Sequence, residues 1–125
     1  MDIALKVAAG LPAIAFVLLG LGWWIVPEFA SAQLGMTLLS GVGLSSQIGD
    51  VASFFLTLGA CILIGIATGN RVWIYPAILL LALATVGRLL AWAVHDAALA
   101  TQMIAVEWVV LAILSALSRR LAMPS

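Results

Sequence analysis

Hydrophobic residues fall into four long blocks that are separated by more polar segments. The blocks cover about residues 3–26, 50–68, 73–94 and 102–118. A helix needs about 20 residues to cross the hydrocarbon core of a bilayer, and each block is close to this length. The pattern predicts an all-α fold, an integral membrane four-helix bundle, with a single transmembrane domain over residues 1–125 and an interfacial segment at 27–49.

The interfacial segment is too polar and glycine-rich to cross a bilayer, yet too apolar for a free loop. Its large apolar residues are Phe29, Leu34, Leu38, Leu39 and Val42. We expect these residues to rest at the head-group level while the Ser and Gln side chains face water. A short interfacial helix and a re-entrant hairpin both fit this composition. Either one would act as a lid over the outer mouth or as an anchor.

The first span is expected to remain part of the protein. The triplet Ala30-Ser31-Ala32 resembles a signal-peptidase site, but the apolar run before it exceeds the roughly 7–15 residues of a signal-peptide core. One face of this span carries mostly small residues, which suit close contact with another helix. That face comprises Ala9, Ala13, Phe16, Gly20 and Trp23.

The basic residues predict how the spans are oriented. Four of the five lie on the side shared by both termini and the second connection, namely Lys6, Arg71, Arg119 and Arg120. The segments on the opposite side, 27–49 and 95–101, contain no Lys or Arg. Because short cytoplasmic loops are enriched in Lys and Arg, we expect both termini to be cytoplasmic.

The amino-acid composition narrows the range of possible functions. Hydrophobic residues make up 66% of the chain and charged residues 8%, and the formal net charge is zero. This balance predicts the lipid bilayer as a partner and gives no reason to expect nucleic acid. Metal-site and nucleotide-binding spacings are absent from the sequence. Cys61 has no second cysteine with which to pair. We therefore expect no metal, no cofactor and no enzymatic activity.

Three ionisable residues lie within or at the edge of the spans: Asp50, Arg88 and Glu107. A central Arg costs about 2.5–3.5 kcal/mol on insertion scales, so Arg88 is not expected to face lipid alone. Glu107 lies at a similar depth in the fourth span, and Asp50 opens the second span on the same side. Since a guanidinium can bridge two carboxylates, we predict an Asp50–Arg88–Glu107 network in the outer half of the bundle.

Helical periodicity predicts which residues accompany this network. On the second span, a polar face comprises Asp50, Ser53, Thr57, Cys61, Gly65 and Thr68. Its opposite face, comprising Phe55, Ile62, Leu63 and Ile66, is expected to contact lipid. On the third span, Thr85, Arg88, Trp92 and His95 share one face. The candidate ligand-binding or structural residues are Asp50, Arg88, Glu107, Trp92, His95, Ser53 and Thr57.

Three interpretations of the charged residues are open. The first is a structural clamp that fixes helix register and adds little net stability. In the second, Arg88 holds an anionic group in a pocket lined by Trp92 and the hydroxyl face. In the third, a carboxylate and His95 relay protons.

Several short motifs resemble those of a known family. They are Gly49-Asp50-Val51-Ala52-Ser53-Phe54-Phe55 with Gly59, Gly87-Arg88-Leu89-Leu90, His95-Asp96, and Glu107. This set resembles a family of small bacterial four-helix membrane proteins of unknown function that is loosely similar to DoxX-type proteins. The chain departs from it where Gln47 and Ile48 replace a basic residue and Ala97 replaces Gly. The first departure leaves Asp50 with one fewer partner.

The resemblance implies a protein of the bacterial cytoplasmic (inner) membrane and implies no activity. From the residues, we predict a small, non-enzymatic, multi-pass accessory or assembly subunit. Its partner would be a larger membrane-protein complex or further copies of itself. The alternative is a binder or carrier of a small amphiphile or lipid whose anionic group contacts Arg88.

Overall fold

The computed structural model describes residues 2–121, which fold almost entirely into helices. They form α1 (Asp2–Ile25), α2 (Pro27–Gln33), α3 (Gly41–Ser46), α4 (Ala52–Thr68), α5 (Ile74–Val94) and α6 (Thr101–Arg120). A π-helical turn, Gln47–Val51, joins α3 to α4, and a 3-10 turn, Arg71–Trp73, precedes α5. The described residues contain no strand, so the all-α prediction is confirmed.

Four helical runs are long and apolar enough to cross a membrane. They lie where the four spans were predicted, but the second run begins at Gly41 and continues to Thr68. The sequence predicts a start near residue 50, because the segment before it is polar and glycine-rich. Tertiary packing outweighs that composition: Ile48 and Val51 pack against the cluster formed by the buried residues Trp23, Ala30 and Ala52.

The long helices pack as antiparallel neighbours. α1 lies against α4 and α6, and α5 lies against the same two helices. Along the α1–α4 contact, Gly10 faces Ile66 and Gly20 faces Leu56, so the two helices run in opposite directions. We call the end that holds residues 26–51 and 95–100 the cover end, and the other the terminal end.

Small residues set the distance between α1 and α4. Ala9 and Ala13 are fully buried, as is Trp23 further along the same face. A Cβ atom added to Gly59 would lie 2.5 Å from the carbonyl oxygen of Ala13, so the two backbones are almost in contact there. The predicted small-residue face of the first span is therefore confirmed.

The predicted faces of α4 are wrong in part. Phe55 and Ile62, expected to contact lipid, are buried in the core, whereas Ser53 and Thr57 are exposed. Of the predicted polar face, only Cys61 and Gly65 are buried.

The reason lies in hydrogen bonds within the helix. Ser53 Oγ donates to the carbonyl oxygen of Gly49 at 2.6 Å, and Thr68 Oγ1 donates to that of Ile64 at 2.7 Å. A hydroxyl that bonds to its own helix does not need a partner on another helix. The large apolar side chains fill the interior instead.

The segment that precedes the π-turn is held by one buried amide. Gln47 Oε1 accepts a hydrogen bond from the backbone nitrogen of Leu39 at 2.8 Å, and its Nε2 donates to the carbonyl oxygen of Thr37 at 3.1 Å. We call residues 27–40 the cover segment. The prediction that Ser and Gln side chains of residues 27–49 face water is wrong at Ser31 and Gln47, which are buried, whereas Phe29 and Leu39 are exposed, as a position at the head-group level requires. The backbone of the cover segment needs these inward-facing polar groups as partners.

Candidate functional site

An ion pair joins α5 to α6 near the cover end. Arg88 Nε lies 3.0 Å from Glu107 Oε2. Thr85 Oγ1 donates a hydrogen bond to the other carboxylate oxygen, Glu107 Oε1, also at 3.0 Å. Residues 85 and 88 are three positions apart and therefore share one face of α5. Both oxygens of the Glu107 carboxylate thus have a donor, and the predicted pairing of Arg88 with Glu107 is present.

The Glu107 carboxylate is buried, so its charge needs partners within the protein. Glu107 is only 7% exposed. A carboxylate removed from water is costly unless a charge and hydrogen bonds compensate it. Arg88 and Thr85 provide that compensation from a single helix. Thr85 was grouped with Arg88 by helical periodicity but was given no role, although its spacing from Arg88 is the signal that would have indicated one.

Two clefts open beside Arg88 at the cover end. The larger has a volume of about 450 Å³ and lies between α4 and α5. The smaller, of about 280 Å³, lies between α1 and α6. Residues that line both clefts are Leu34, Phe55, Arg88 and Met103. Leu34 belongs to the cover segment, which therefore forms part of both walls.

The walls of the larger cleft are mostly apolar. They include Val51 and Phe54 from the start of the α4 run, Ala84 and Ala91 from α5, and Met36 from the cover segment. Its charged lining residues are Asp50 and Arg88. The apolar walls are not predictable from the sequence, because no local pattern indicates where two helices separate.

The guanidinium of Arg88 is only partly used by the protein. Its Nε bonds to Glu107, and within residues 2–121 its terminal nitrogens have no hydrogen-bond partner. The side chain is 30% exposed. Arg carries five N–H donors in a planar fork that suits carboxylate and phosphate groups. The unused donors are thus available to a ligand in either cleft.

Asp50 does not join the ion pair, so the predicted three-residue network is wrong at this residue. Asp50 is exposed. In the described part of the chain it has neither a hydrogen bond nor a salt bridge. The physical reason is the larger cleft, which separates the π-turn that carries Asp50 from the α5 helix that carries Arg88. The two charges line the same cleft without meeting.

The other predicted site residues lie outside the clefts. Trp92, His95, Ser53 and Thr57 are all exposed, and none of them lines either cleft. On α5, the buried face includes Leu81 and Thr85 but ends near Arg88, since every residue from 92 to 99 is exposed. The last turn of α5 extends beyond its neighbours, so a residue on the Arg88 face is no longer covered there.

Comparisons with known proteins returned no match to a protein family, to a curated protein or to a solved structure. The resemblance to small four-helix membrane proteins therefore stays a prediction. Among residues 2–121, no group of three or more His, Cys, Asp or Glu side chains is arranged to hold a metal ion. The ion pair and its two clefts are the basis for a functional proposal.

Proposed function

We propose that this protein is an integral membrane four-helix bundle that binds a small amphiphile or lipid at Arg88. The proposed location is the bacterial inner membrane, with both termini in the cytoplasm. In this proposal the protein performs no chemistry on its ligand, and the cover end faces outward.

The surface of the long helices supports the membrane part of the proposal. Large apolar side chains are exposed on every long helix, for example Leu18 on α1, Ile64 on α4, Leu83 on α5 and Val109 on α6. A water-soluble protein rarely exposes apolar surface so extensively. Arg119 and Arg120 in the last turn of α6 supply positive charge at the terminal end, as expected for the cytoplasmic side.

One observation carries the binding part of the proposal: Arg88 lines both clefts while only its Nε is bonded within the described chain. Ligand sites typically combine apolar walls with a few polar groups that fix the orientation of the ligand. Here the apolar walls suit acyl or other hydrocarbon chains. The free end of the guanidinium suits an acidic group.

Native mass spectrometry of protein released directly from membranes tests this function. We expect co-purifying amphiphiles on the unaltered protein, reduced about tenfold in Arg88→Lys. Lys retains the charge that Glu107 needs, so the variant should fold, but it lacks the planar fork. Arg119→Lys, at the opposite end of the molecule, is the matched control. Equal ligand occupancy in both variants would contradict the proposal.

An accessory-subunit role is a second candidate, supported by the exposed hydroxyl of Thr57 on α4. Thr57 lies on an outer face where lipid would otherwise be the neighbour. Hydroxyl side chains are common at contacts between membrane helices. In this case, another membrane protein or a second copy should co-purify in fixed stoichiometry. Thr57→Val, which replaces the hydroxyl by a methyl group, should weaken that association while Thr68→Val does not.

A further inference from the structure

We infer that the ligand of the larger cleft is zwitterionic: an amphiphile whose head group carries an ammonium for Asp50 and an acidic group for Arg88. This inference rests on the proposed function, because it specifies the chemistry of a ligand at the same site. It adds Asp50 as a determinant of specificity, a role that the ion pair alone does not assign.

Asp50 is placed by local structure rather than by a bonded partner. It lies within the π-helical turn Gln47–Val51, which is an uncommon local winding that often occurs at functional sites. Ser53 Oγ bonds to the carbonyl oxygen of Gly49, directly before Asp50. The Asp50 carboxylate has no partner in the described chain, so folding does not require the charge of Asp50.

The charges at the cleft do not favour a simple anion. Glu107 neutralises Arg88, since the two form one ion pair. Asp50 lines the same cleft as Arg88 and adds an uncompensated negative charge. A purely anionic ligand would contact the Arg88 donors but would be repelled by two carboxylates.

A head group with both signs of charge satisfies both sides of the cleft. Its acidic group accepts hydrogen bonds from the unused terminal nitrogens of Arg88, and its ammonium pairs with Asp50. The position of Arg88 along α5 also suits contact with a lipid head group. Arg88 lies six residues before the end of α5 at Val94, or about 9 Å along the helix. The apolar walls formed by Val51 and Phe54 accept the hydrocarbon part.

The test uses the full-length protein in nanodiscs and compares three lipids that share the same acyl chains. They are phosphatidylethanolamine, phosphatidylglycerol and N-acetylated phosphatidylethanolamine, which keeps the phosphate but lacks the ammonium. We expect the unaltered protein to retain phosphatidylethanolamine about tenfold more than either other lipid, the effect of one charge-assisted interaction. Phosphoethanolamine, a soluble competitor, distinguishes a free small molecule from a lipid as the ligand. It should displace the bound ligand efficiently from the cleft only if that ligand is a free small molecule.

Variants of Asp50 identify the residue responsible. Asp50→Asn should abolish the preference for phosphatidylethanolamine, and Asp50→Lys should reverse it in favour of phosphatidylglycerol. Both variants should accumulate normally, because the Asp50 side chain makes no bond in the described chain. Glu28→Gln, an exposed carboxylate on α2 outside both clefts, is the matched control and should keep the preference.

The outcomes separate this inference from the proposed function. If Arg88→Lys retains about tenfold less of every lipid while the Asp50 variants bind the lipids as the unaltered protein does, the amphiphile site stands and the zwitterion inference is overturned. If Arg88→Lys retains every lipid, both are overturned. A preference that follows the charge at position 50 supports the inference.

Discussion

The two ends of the molecule are built from the same four long helices but differ in how closely those helices pack. Towards the terminal end, the interior is continuous: Ile62, Ile74, Leu114 and Leu117 are all fully buried. Towards the cover end, clefts separate the helices, and the buried residues there include the polar Glu107 and Gln47. The comparison indicates that continuous apolar packing stabilises the terminal end, whereas the cover end depends on buried polar groups with partners and leaves space for a ligand.

Removing the partner of Glu107 should have the largest effect on stability. Arg88→Leu leaves a buried carboxylate with only Thr85 as a donor, and breaking a buried pair in this way costs about 3–5 kcal/mol. We expect a large loss of thermal stability in detergent. Adding Glu107→Gln to Arg88→Leu should restore most of the loss, since the unpaired charge is then absent.

Arg119→Leu, which changes an exposed residue of the terminal end, is the control for that experiment and should have little effect. If Arg88→Leu unfolds at the same temperature as the unaltered protein, Glu107 does not depend on Arg88 and the account of the cover end is wrong.

Close packing of α1 against α4 should be the next most sensitive feature. Gly59→Ala places a Cβ 2.5 Å from a backbone oxygen of α1, so the helices must move apart, at a cost of about 1–3 kcal/mol. In Gly10→Ala, the nearest atom is Ile66 Cδ1 at 3.7 Å, which is an ordinary contact. The control should therefore be neutral or slightly stabilising. Equal melting temperatures for the two variants would show that α1 and α4 are not in close contact.

The cover segment should respond locally to loss of its amide clamp. Gln47→Leu removes the partners of the Leu39 nitrogen and the Thr37 carbonyl oxygen. Leu39 and Thr37 are exposed, so their backbone groups can turn to water, and each lost hydrogen bond costs about 0.5–1.5 kcal/mol. We expect faster hydrogen exchange at residues 36–40, with exchange in α5 and α6 unchanged. The neighbouring Ser46→Ala serves as the control. Faster exchange throughout the chain would mean that the cover segment is part of the core and not a separate element.

Much of this arrangement could be predicted from the sequence. The four long helices follow from hydropathy alone, and the Arg88–Glu107 pair follows from the cost of leaving a lone charge among apolar residues. The small face around Ala13 was predictable because only small side chains permit two helix backbones to approach closely. Each of these features depends on a strong and local energetic requirement.

The remaining features depend on where the helices separate, which no local pattern reports. Ser53 satisfies its hydroxyl within its own helix, so its polarity did not indicate whether it is buried. Asp50 is kept from Arg88 by the cleft between α4 and α5. Trp92 lies beyond the packed part of α5, although it shares a helical face with Arg88.

In the proposed function, Arg88 is bonded to Glu107 through the Nε of its guanidinium, and its terminal nitrogens bind a ligand. Solid-state NMR of the protein in bilayers can measure this directly, with ¹⁵N-labelled Arg and ¹³C-labelled Glu. We expect strong coupling between Arg88 Nε and the Glu107 carboxyl carbon, consistent with the 3.0 Å contact to Oε2. Added phosphatidylethanolamine should shift the terminal nitrogens of Arg88 and leave that coupling in place. Absence of coupling between Arg88 Nε and Glu107 would show that the ion pair does not form in a bilayer.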